Sequence, residues 1–499
     1  MSTHPHRRSR LTRGGRLAIA TGIALVAGAL VVPVVSATTA TTPSSKHLHD
    51  DFNGDGYPDL AVGAPATKST GTSTGAVSVL YGSSSGLSLT RKQVLDASKE
   101  TSASPVSGYG SGLQSADLDG DGYADLLSYV RWTPAGGSPT PTVTVNWGGP
   151  KGLSSTRTQL LKLPEAAWTS GFTVGDVDGD KHPDVVTLGE AYGAQDGNGG
   201  TVLHGPFTRA GSAAGSDRFV YAPEGLEAAN MIAAGDVNGD GIDDIAIGAH
   251  STEESDSRAT ALLLGGANGL TRAGWLRDTT NRSIGGEDIA IGDLNKDGYG
   301  DIVVGHAFDG MDSDVELPTK GGALGVVYGG PAGLSTTRKP VWINQDTPGV
   351  PGVGEYHDGM GSALSIGDTN GDGYLDVVTG LPGEDFDGIT DAGSVLVLRG
   401  SANGLTGTGA KSFSQDTAGV PGAAEKADQF GTQTALLDAN GDKKDGLVVG
   451  DPAENADNGS VWVFSATSGG ITASGSTSFG AAKVGLPAAK ARFGASLGD

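Results

Sequence analysis

The sequence predicts an all-β fold: a seven-bladed β-propeller of four-stranded blades, its ring closed by the C-terminal strand completing the N-terminal blade. Three observations predict it. An acidic nine-residue pattern recurs seven times, at spacings of 66, 59, 60, 57, 75 and 70 residues. Each copy sits among short apolar runs bounded by Gly, Pro, Asn and Asp, which are strands rather than helices. The two chain ends carry complementary halves of one repeat. A fixed period of this length marks an array of equivalent units, and four-stranded units repeated radially make a propeller.

Within a unit, the first strand lies near a Gly, as at Tyr109-Gly110, Met360-Gly361 and Phe430-Gly431. The acidic loop follows. A β-branched second strand comes next, such as Asp59-Leu60-Ala61-Val62-Gly63 or Asp301-Ile302-Val303-Val304-Gly305. A third run, such as Ala76-Val77-Ser78-Val79-Leu80, leads to a Gly-rich turn like Ser401-Ala402-Asn403-Gly404-Leu405 and a weaker fourth strand. The chain opens its first loop at Asp51 with no Phe-Gly stretch before it, and ends with Phe493-Gly494-Ala495-Ser496-Leu497 and no loop after it. From Asp51 to Asp499 is 448 residues, seven times 64. Joining the ends completes a seventh blade and leaves no open sheet edge.

Composition narrows the class. With no cysteine, disulfides, Cys-ligated metals and a Cys nucleophile are excluded. The net charge of −24 argues against a nucleic-acid partner. Residues 1–16 hold five arginines and no acid, and an apolar run extends to Val35-Ser36-Ala37. This is the pattern of a secretory leader, expected to be removed as residues 1–37. Residues 38–49 are Thr/Ser/Pro-rich and read as a linker; 50–499 are the propeller. Without the leader the charge becomes (33 − 5) − 57 = −29. The expected location is secreted or at the cell surface, as a monomer with no membrane span.

The recurring loop is Asp-x-Asn/Asp-x-Asp-Gly-x-x-Asp. Five copies keep every ligand and the Gly: Asp51, Asn53, Asp55, Tyr57, Asp59; Asp117, Asp119, Asp121, Tyr123, Asp125; Asp236, Asn238, Asp240, Ile242, Asp244; Asp293, Asn295, Asp297, Tyr299, Asp301; and Asp368, Asn370, Asp372, Tyr374, Asp376. Positions one, three, five and nine offer hard side-chain oxygens, position seven a backbone carbonyl, and Gly at position six permits a left-handed turn around one ion. Oxygen-only ligation selects calcium over zinc or copper. A sixth copy, Asp176, Asp178, Asp180, His182 and Asp184, has Lys181 in place of that Gly. A left-handed Lys costs about 1 kcal/mol, and this copy is still expected to bind. The seventh has Asp438, Asn440 and Asp442, but Lys443, Lys444 and Gly446 follow, so it is expected to be empty or weak. The expected load is therefore about six calcium ions.

These residues resemble the FG-GAP repeat of the integrin alpha-subunit propeller. The name-giving pieces stand as Phe430-Gly431, Phe493-Gly494 and Gly63-Ala64-Pro65. The resemblance covers about residues 50–499. It implies calcium in these loops and an extracellular setting. It does not imply an integrin-like heterodimer, since the leg domains and the transmembrane helix of that family have no counterpart in this sequence.

Strand parity places the acidic loops and the turns between strands three and four on one face. The loops between strands two and three and the inter-blade linkers lie on the other. That second face carries Glu253, Glu254, Asp309, Asp312, Asp314, Glu355, His357, Glu384, Asp385 and Asp387. Such an acidic rim suits cationic groups, sugars or an additional ion, and solvated loops are the plainer alternative. The expected function is a binding or adhesion module for an extracellular protein or glycan. The rival is a carbohydrate-active enzyme, a polysaccharide lyase or hydrolase, for which Asp312 and Glu384 are one conceivable carboxylate pair. Gly82-Ser83-Ser84-Ser85-Gly86 fits Gly-x-Ser-x-Gly but occupies a strand-three to strand-four turn, so no catalytic residue is assigned.

Overall fold

A computed structural model of the chain describes residues 48, 50–69, 72–99, 106–133, 140–160, 169–189, 198–222, 226–251, 258–309, 320–386 and 388–498. The expected leader 1–37 and nearly all of the linker 38–49 lie outside these residues, as do Glu253, Glu254, Asp312, Asp314 and Asp387.

Seven four-stranded antiparallel sheets form seven blades. Blade 1 pairs Leu497–Gly498, Leu60–Ala64, Ala76–Leu80 and Lys92–Asp96, in that order. The register of Ala61 with Gly498 and Val62 with Leu497 closes the ring as the sequence predicts. Blades 2 to 7 then follow in chain order, with second strands Asp125–Trp132, Asp184–Gly189, Asp244–Ser251, Asp301–His306, Asp376–Leu381 and Gly446–Asp451. Residues from the inner edge of all seven blades line a central channel of about 490 Å³.

Second and third strands are largely buried. Leu60–Ala64, Ala76–Leu80 and Ala323–Val327 have no exposed residue. A blade packs neighbours on both faces, so these strands read as continuous apolar runs rather than alternating ones. The core lies between blades: one cluster joins Leu60, Val62 and Leu497 of blade 1 to Val448 and Val461 of blade 7.

The glycines explain how the blades approach so closely. A Cβ on Gly63, Gly305, Gly380 or Gly450 would stand 2.0, 2.1, 1.9 or 2.3 Å from the carbonyl oxygen of Gly110, Gly361, Gly431 or Gly494 respectively. In each pair a second-strand Gly touches the Gly that enters the next blade. The Phe-Gly pairs differ from expectation in one respect: Phe430-Gly431 and Phe493-Gly494 precede the inner strands Gln433–Leu437 and Leu497–Gly498 rather than forming part of them. Their phenyl rings are wholly buried, and Phe430 meets Trp462 edge-on at 5.1 Å. The ring is an anchor between blades, and the Gly is the point of contact.

Candidate metal centres

Each of the seven acidic loops leads into the second strand of its blade, and in blades 2 to 7 it joins that strand to the first. Position one shapes each loop. Asp51 accepts the backbone N–H groups of Gly54 at 2.7 Å, Asp55 at 3.1 Å and Gly56 at 2.7 Å. Asp236 does the same for Gly239, Asp240 and Gly241. Position five accepts the N–H of position seven, as Asp240 does from Ile242 at 2.9 Å. The turn thus draws positions one, three and five together around the left-handed residue at position six. Lys181 and Lys443 adopt that conformation without being Gly, at φ 71° and 65°.

Position nine has a larger role than a ligand. Asp59, Asp125, Asp184, Asp244, Asp301 and Asp376 are wholly buried. One carboxylate oxygen accepts the N–H of position two: Phe52 at 3.0 Å, Leu118 at 3.0 Å, Val177 at 3.0 Å, Val237 at 3.0 Å, Leu294 at 3.2 Å and Thr369 at 3.3 Å. The other accepts the Gly that ends the third strand: Gly82, Gly148, Gly205, Gly265, Gly329 and Gly400, at 2.7–3.1 Å. Position nine therefore clamps the loop to the turn beside it. Burial raises its pKa, to about 8 for Asp59, about 7 for Asp125 and Asp301, and about 6 for Asp184 and Asp244.

Neighbouring blades staple the loops. The position-two carbonyls of Phe52, Leu118, Val177 and Val237 accept N–H groups of Gly149, Phe207, Gly266 and Gly330 on the following blade. Position seven, read from the sequence only as a carbonyl donor, also packs. A Cβ on Gly54, Gly179 or Gly239 would collide with the side chain of Tyr123, Ile242 or Tyr299 on the next loop.

The donor set suits a hard cation. Ligand oxygens of Asp117, Asp119 and Asp125 lie within 4.8 Å of one another, as do those of Asp176, Asp178 and Asp180. Two donors are buried without a hydrogen-bond partner, Asn295 Oδ1 and Asp119 Oδ1.

The loops are not equally free of protein cations. The Arg209 Nε lies 2.5 Å from Asp119, its Nη2 also donates to Asp121, and it arrives from the turn of the following blade. Arg91 pairs with Asp55 at 2.6 Å, Arg399 with Asp376 at 2.7 Å, and Lys444 with Asp442 at 3.3 Å. At the Asp176 loop, His204 Nδ1 stands 3.0 Å from Asp178 and its Nε2 3.0 Å from Asp217. Burial alone would lower the pKa of His204, but the Asp217 hydrogen bond and the Asp184 and Asp178 charges raise it overall. Among the described residues, no Lys, Arg or His is ion-paired in the loops at Asp236 and Asp293. The sequence pattern misses Arg209, Arg399 and His204 because they enter from third strands and turns far along the chain. The Gly82–Gly86 stretch is the expected turn, with Gly86 N–H on the Ser83 carbonyl at 2.6 Å.

The opposite face is acidic as predicted where it is described. His357 Nδ1 lies 3.4 Å from Asp309, and Glu384 accepts Gln345 Nε2 at 2.8 Å. Glu355 and Asp385 belong to the same rim; Asp385 accepts the N–H of Asp391 at 2.8 Å.

The FG-GAP repeat family matches residues 49–80, 232–257 and 360–398, which fall on blades 1, 4 and 6. Over 120 residues the chain is 38% identical to integrin alpha-6 of Homo sapiens, covering 24% of this chain and 9% of that protein. Over 119 residues it is 37% identical to phosphatidylinositol-glycan-specific phospholipase D of Rattus norvegicus, covering 24% and 13%. The match thus spans about a tenth of the length of these curated relatives. Rhamnogalacturonan lyase YesW aligns over 80% of this chain and 82% of its own at 12% identity, and its TM-score of 0.34 carries no argument about chemistry. No helix among the described residues is long and apolar enough to cross a membrane. The repeated loop, the paired glycines between blades and the matched segments agree: the chain carries FG-GAP repeats in blades 1, 4 and 6 and is built as a seven-bladed β-propeller.

Proposed function

We propose that the chain is an exported calcium-binding propeller whose loops hold ions on one face while the other face binds an extracellular protein or glycan. The observation that carries this reading is the repetition around the ring of one acidic loop with the same backbone hydrogen bonds, its ligand oxygens within 4.8 Å of one another in the loops at Asp117 and Asp176. Each loop is shaped by its position-one carboxylate and clamped by its position-nine carboxylate. Asp51, Asn53, Asp55, Asp59 and the Tyr57 carbonyl would hold one ion, and the equivalent residues of the loops at Asp117, Asp176, Asp236, Asp293 and Asp368 would hold the others. Bound calcium would neutralise buried carboxylates and stiffen the rim without disulfides. Six ions would change the charge of residues 38–499 from −29 to −17, taking the basic residues of 1–37 as removed. The match to integrin alpha-6 supports an extracellular setting.

The test uses residues 38–499 in two measurements. The first is thermal melting with EDTA and with rising calcium, with bound metal counted. The second is retention on immobilised glycans and surface proteins. The reading expects five or six ions in the acidic loops, a large concentration-dependent rise in Tm, and saturable retention that EDTA abolishes. No bound calcium would overturn the metal assignment. Release of unsaturated, ultraviolet-absorbing sugar ends would overturn the binding module in favour of a lyase.

A further inference from the structure

On the face opposite the acidic loops, blades 6 and 7 carry the same four polar residues at a constant offset. Gln345, Glu355, Asp358 and Glu384 recur 70 residues later as Gln415, Glu425, Asp428 and Glu454. In both blades the first three lie on the linker entering the blade, and the last lies on the loop between its second and third strands.

The contacts repeat as well. Gln345 Nε2 donates to Glu384 Oε2 at 2.8 Å, and Gln415 Nε2 donates to Glu454 Oε2 at 2.8 Å. The N–H of Glu355 bonds Asp358 Oδ2 at 2.7 Å, and that of Glu425 bonds Asp428 Oδ2 at 2.8 Å. Asp358 and Asp428 are 2% and 4% exposed. The amide oxygens are the decisive feature. Gln345 and Gln415 are 4% and 2% exposed, and Oε1 of each has no hydrogen-bond partner. The amide nitrogen on the same carbon is bonded to Glu384 or Glu454, so each orphan oxygen stands beside the carboxylates. In blade 7 the wholly buried Asp451 adds a second orphan, Oδ2. A buried acceptor without a donor is costly.

No protein cation balances these groups. Among the described residues, no Lys or Arg is ion-paired with Glu355, Asp358, Glu384, Glu425, Asp428 or Glu454. His357, on the blade 6 linker, is 86% exposed and faces Asp309. Burial and mutual repulsion raise the pKa of Asp358 and of Glu454 to about 7.

Blade 1 supplies an internal control. Its linker is three residues shorter and holds the short helix Ala481–Val484, but it ends on the same turn: His357, Ala427 and Lys490 share a positive φ of 76°, 64° and 52° just before the position of Asp358, Asp428 and Ala491. The carbonyls of Glu384, Glu454 and Thr67 each accept the N–H of the Gly that opens the third strand. Ile343, Phe413 and Phe479, on the fourth strands of blades 5, 6 and 7, pair with the equivalent third-strand residues Leu324, Val395 and Val461, two residues before Gln345, Gln415 and Ala481. The blade 1 counterparts of the quartet are therefore Ala481, Ala488, Ala491 and Thr67. The four polar residues are present together in two blades and absent together in a third. The turn itself does not need them, since blade 1 makes it without them.

We propose that each quartet is a divalent-cation site of the calcium class, in which the orphan Gln carbonyl and the three carboxylates supply oxygen ligands between a linker and the loop of the same blade. Hard oxygen donors without sulfur or imidazole favour calcium or magnesium over softer metals. These sites are separate from the acidic loops, on the face where the proposed ligand would bind.

The test counts calcium bound to the full chain and to a Glu384→Gln, Glu454→Gln double variant, with Asp240→Ala as a variant of an acidic loop. The expected result is two fewer ions for the double variant and one fewer for Asp240→Ala, with the losses adding. An unchanged count in the double variant would overturn the proposal and leave a shared proton as the neutralising group. If the double variant does not fold, wild-type crystals soaked in terbium decide. Anomalous peaks beside Gln345 Oε1 and Gln415 Oε1 support the sites, and peaks in the acidic loops alone overturn them. Peaks at the quartets without peaks in the loops would instead sink the loop reading and keep this one.

Discussion

Gly380 of blade 6 lies against the carbonyl of Gly431, which enters blade 7, so closely that a Cβ on Gly380 would stand 1.9 Å from that oxygen. The neighbouring atom is backbone, held beside the buried Phe430, and it has little room to move. Gly380→Ala should therefore separate two blades rather than displace one side chain. The expected loss is about 1–3 kcal/mol or more, read from urea unfolding. Ala at Gly86, whose Cβ would meet no atom within 4 Å, tests only the φ of +80° there and should cost about 1 kcal/mol. Equal losses at the two positions would show that the close approach does not matter.

Those glycines also mark how far the sequence alone reaches. Period, strand runs and complementary chain ends are local patterns, so blade number, strand order and ring closure were legible. The oxygen set of the loops was legible for the same reason, since all its members fall within nine residues. The clamp from Asp244 to Gly265 was not, because the partner lies 21 residues away across a third strand. Arg209 reaches Asp121 across 88 residues, and no spacing rule connects them. The Gln345 and Gln415 quartets repeat at one offset, yet their meaning appears only when linker and loop are seen to share a site.

Arg209 would compete with a cation at the Asp117 loop. Its guanidinium neutralises Asp119 and Asp121, so an ion there must displace or share them. Arg209→Gln should raise the calcium affinity of this loop by about tenfold, corresponding to roughly 1.4 kcal/mol of lost competition. Calorimetric titration would show one site tightening while the others stay unchanged. An unchanged or weakened site would mean that Arg209 serves as a strut compatible with the ion.

The buried carboxylates predict the pH dependence of the metal-free chain. Burial raises Asp59 to about 8 and Asp125 and Asp301 to about 7, well above the usual carboxylate value. Between about pH 4 and 8 the folded chain then holds more protons than the unfolded chain, so stability falls as pH rises. The stabilising contribution is whole below about pH 4 and is lost as pH rises through 6 to 8. In EDTA, Tm should drop from about pH 5.5 to about pH 8.5. Saturating calcium should flatten that drop, because a cation replaces the proton as the neutralising partner. A metal-free Tm that rises over this range would contradict the assignment.

Positions five and nine of one loop should separate calcium binding from architecture. The Asp240 carboxylate is exposed and, among the described residues, accepts only the N–H of Ile242. The Asp244 carboxylate is wholly buried and holds Val237 N–H at 3.0 Å and Gly265 N–H at 2.9 Å. In EDTA, Asp240→Ala should cost under about 1 kcal/mol, the range of an exposed hydrogen bond. Asp244→Ala strands two backbone donors in the interior and should cost about 2–5 kcal/mol in the same buffer. With calcium present, both variants should bind one ion fewer than wild type. Denaturant unfolding with and without EDTA, on one preparation of each variant, separates the two roles. If Asp244→Ala proved as mild as Asp240→Ala without metal, position nine would be a ligand alone, and the clamp would owe its geometry to the backbone around it.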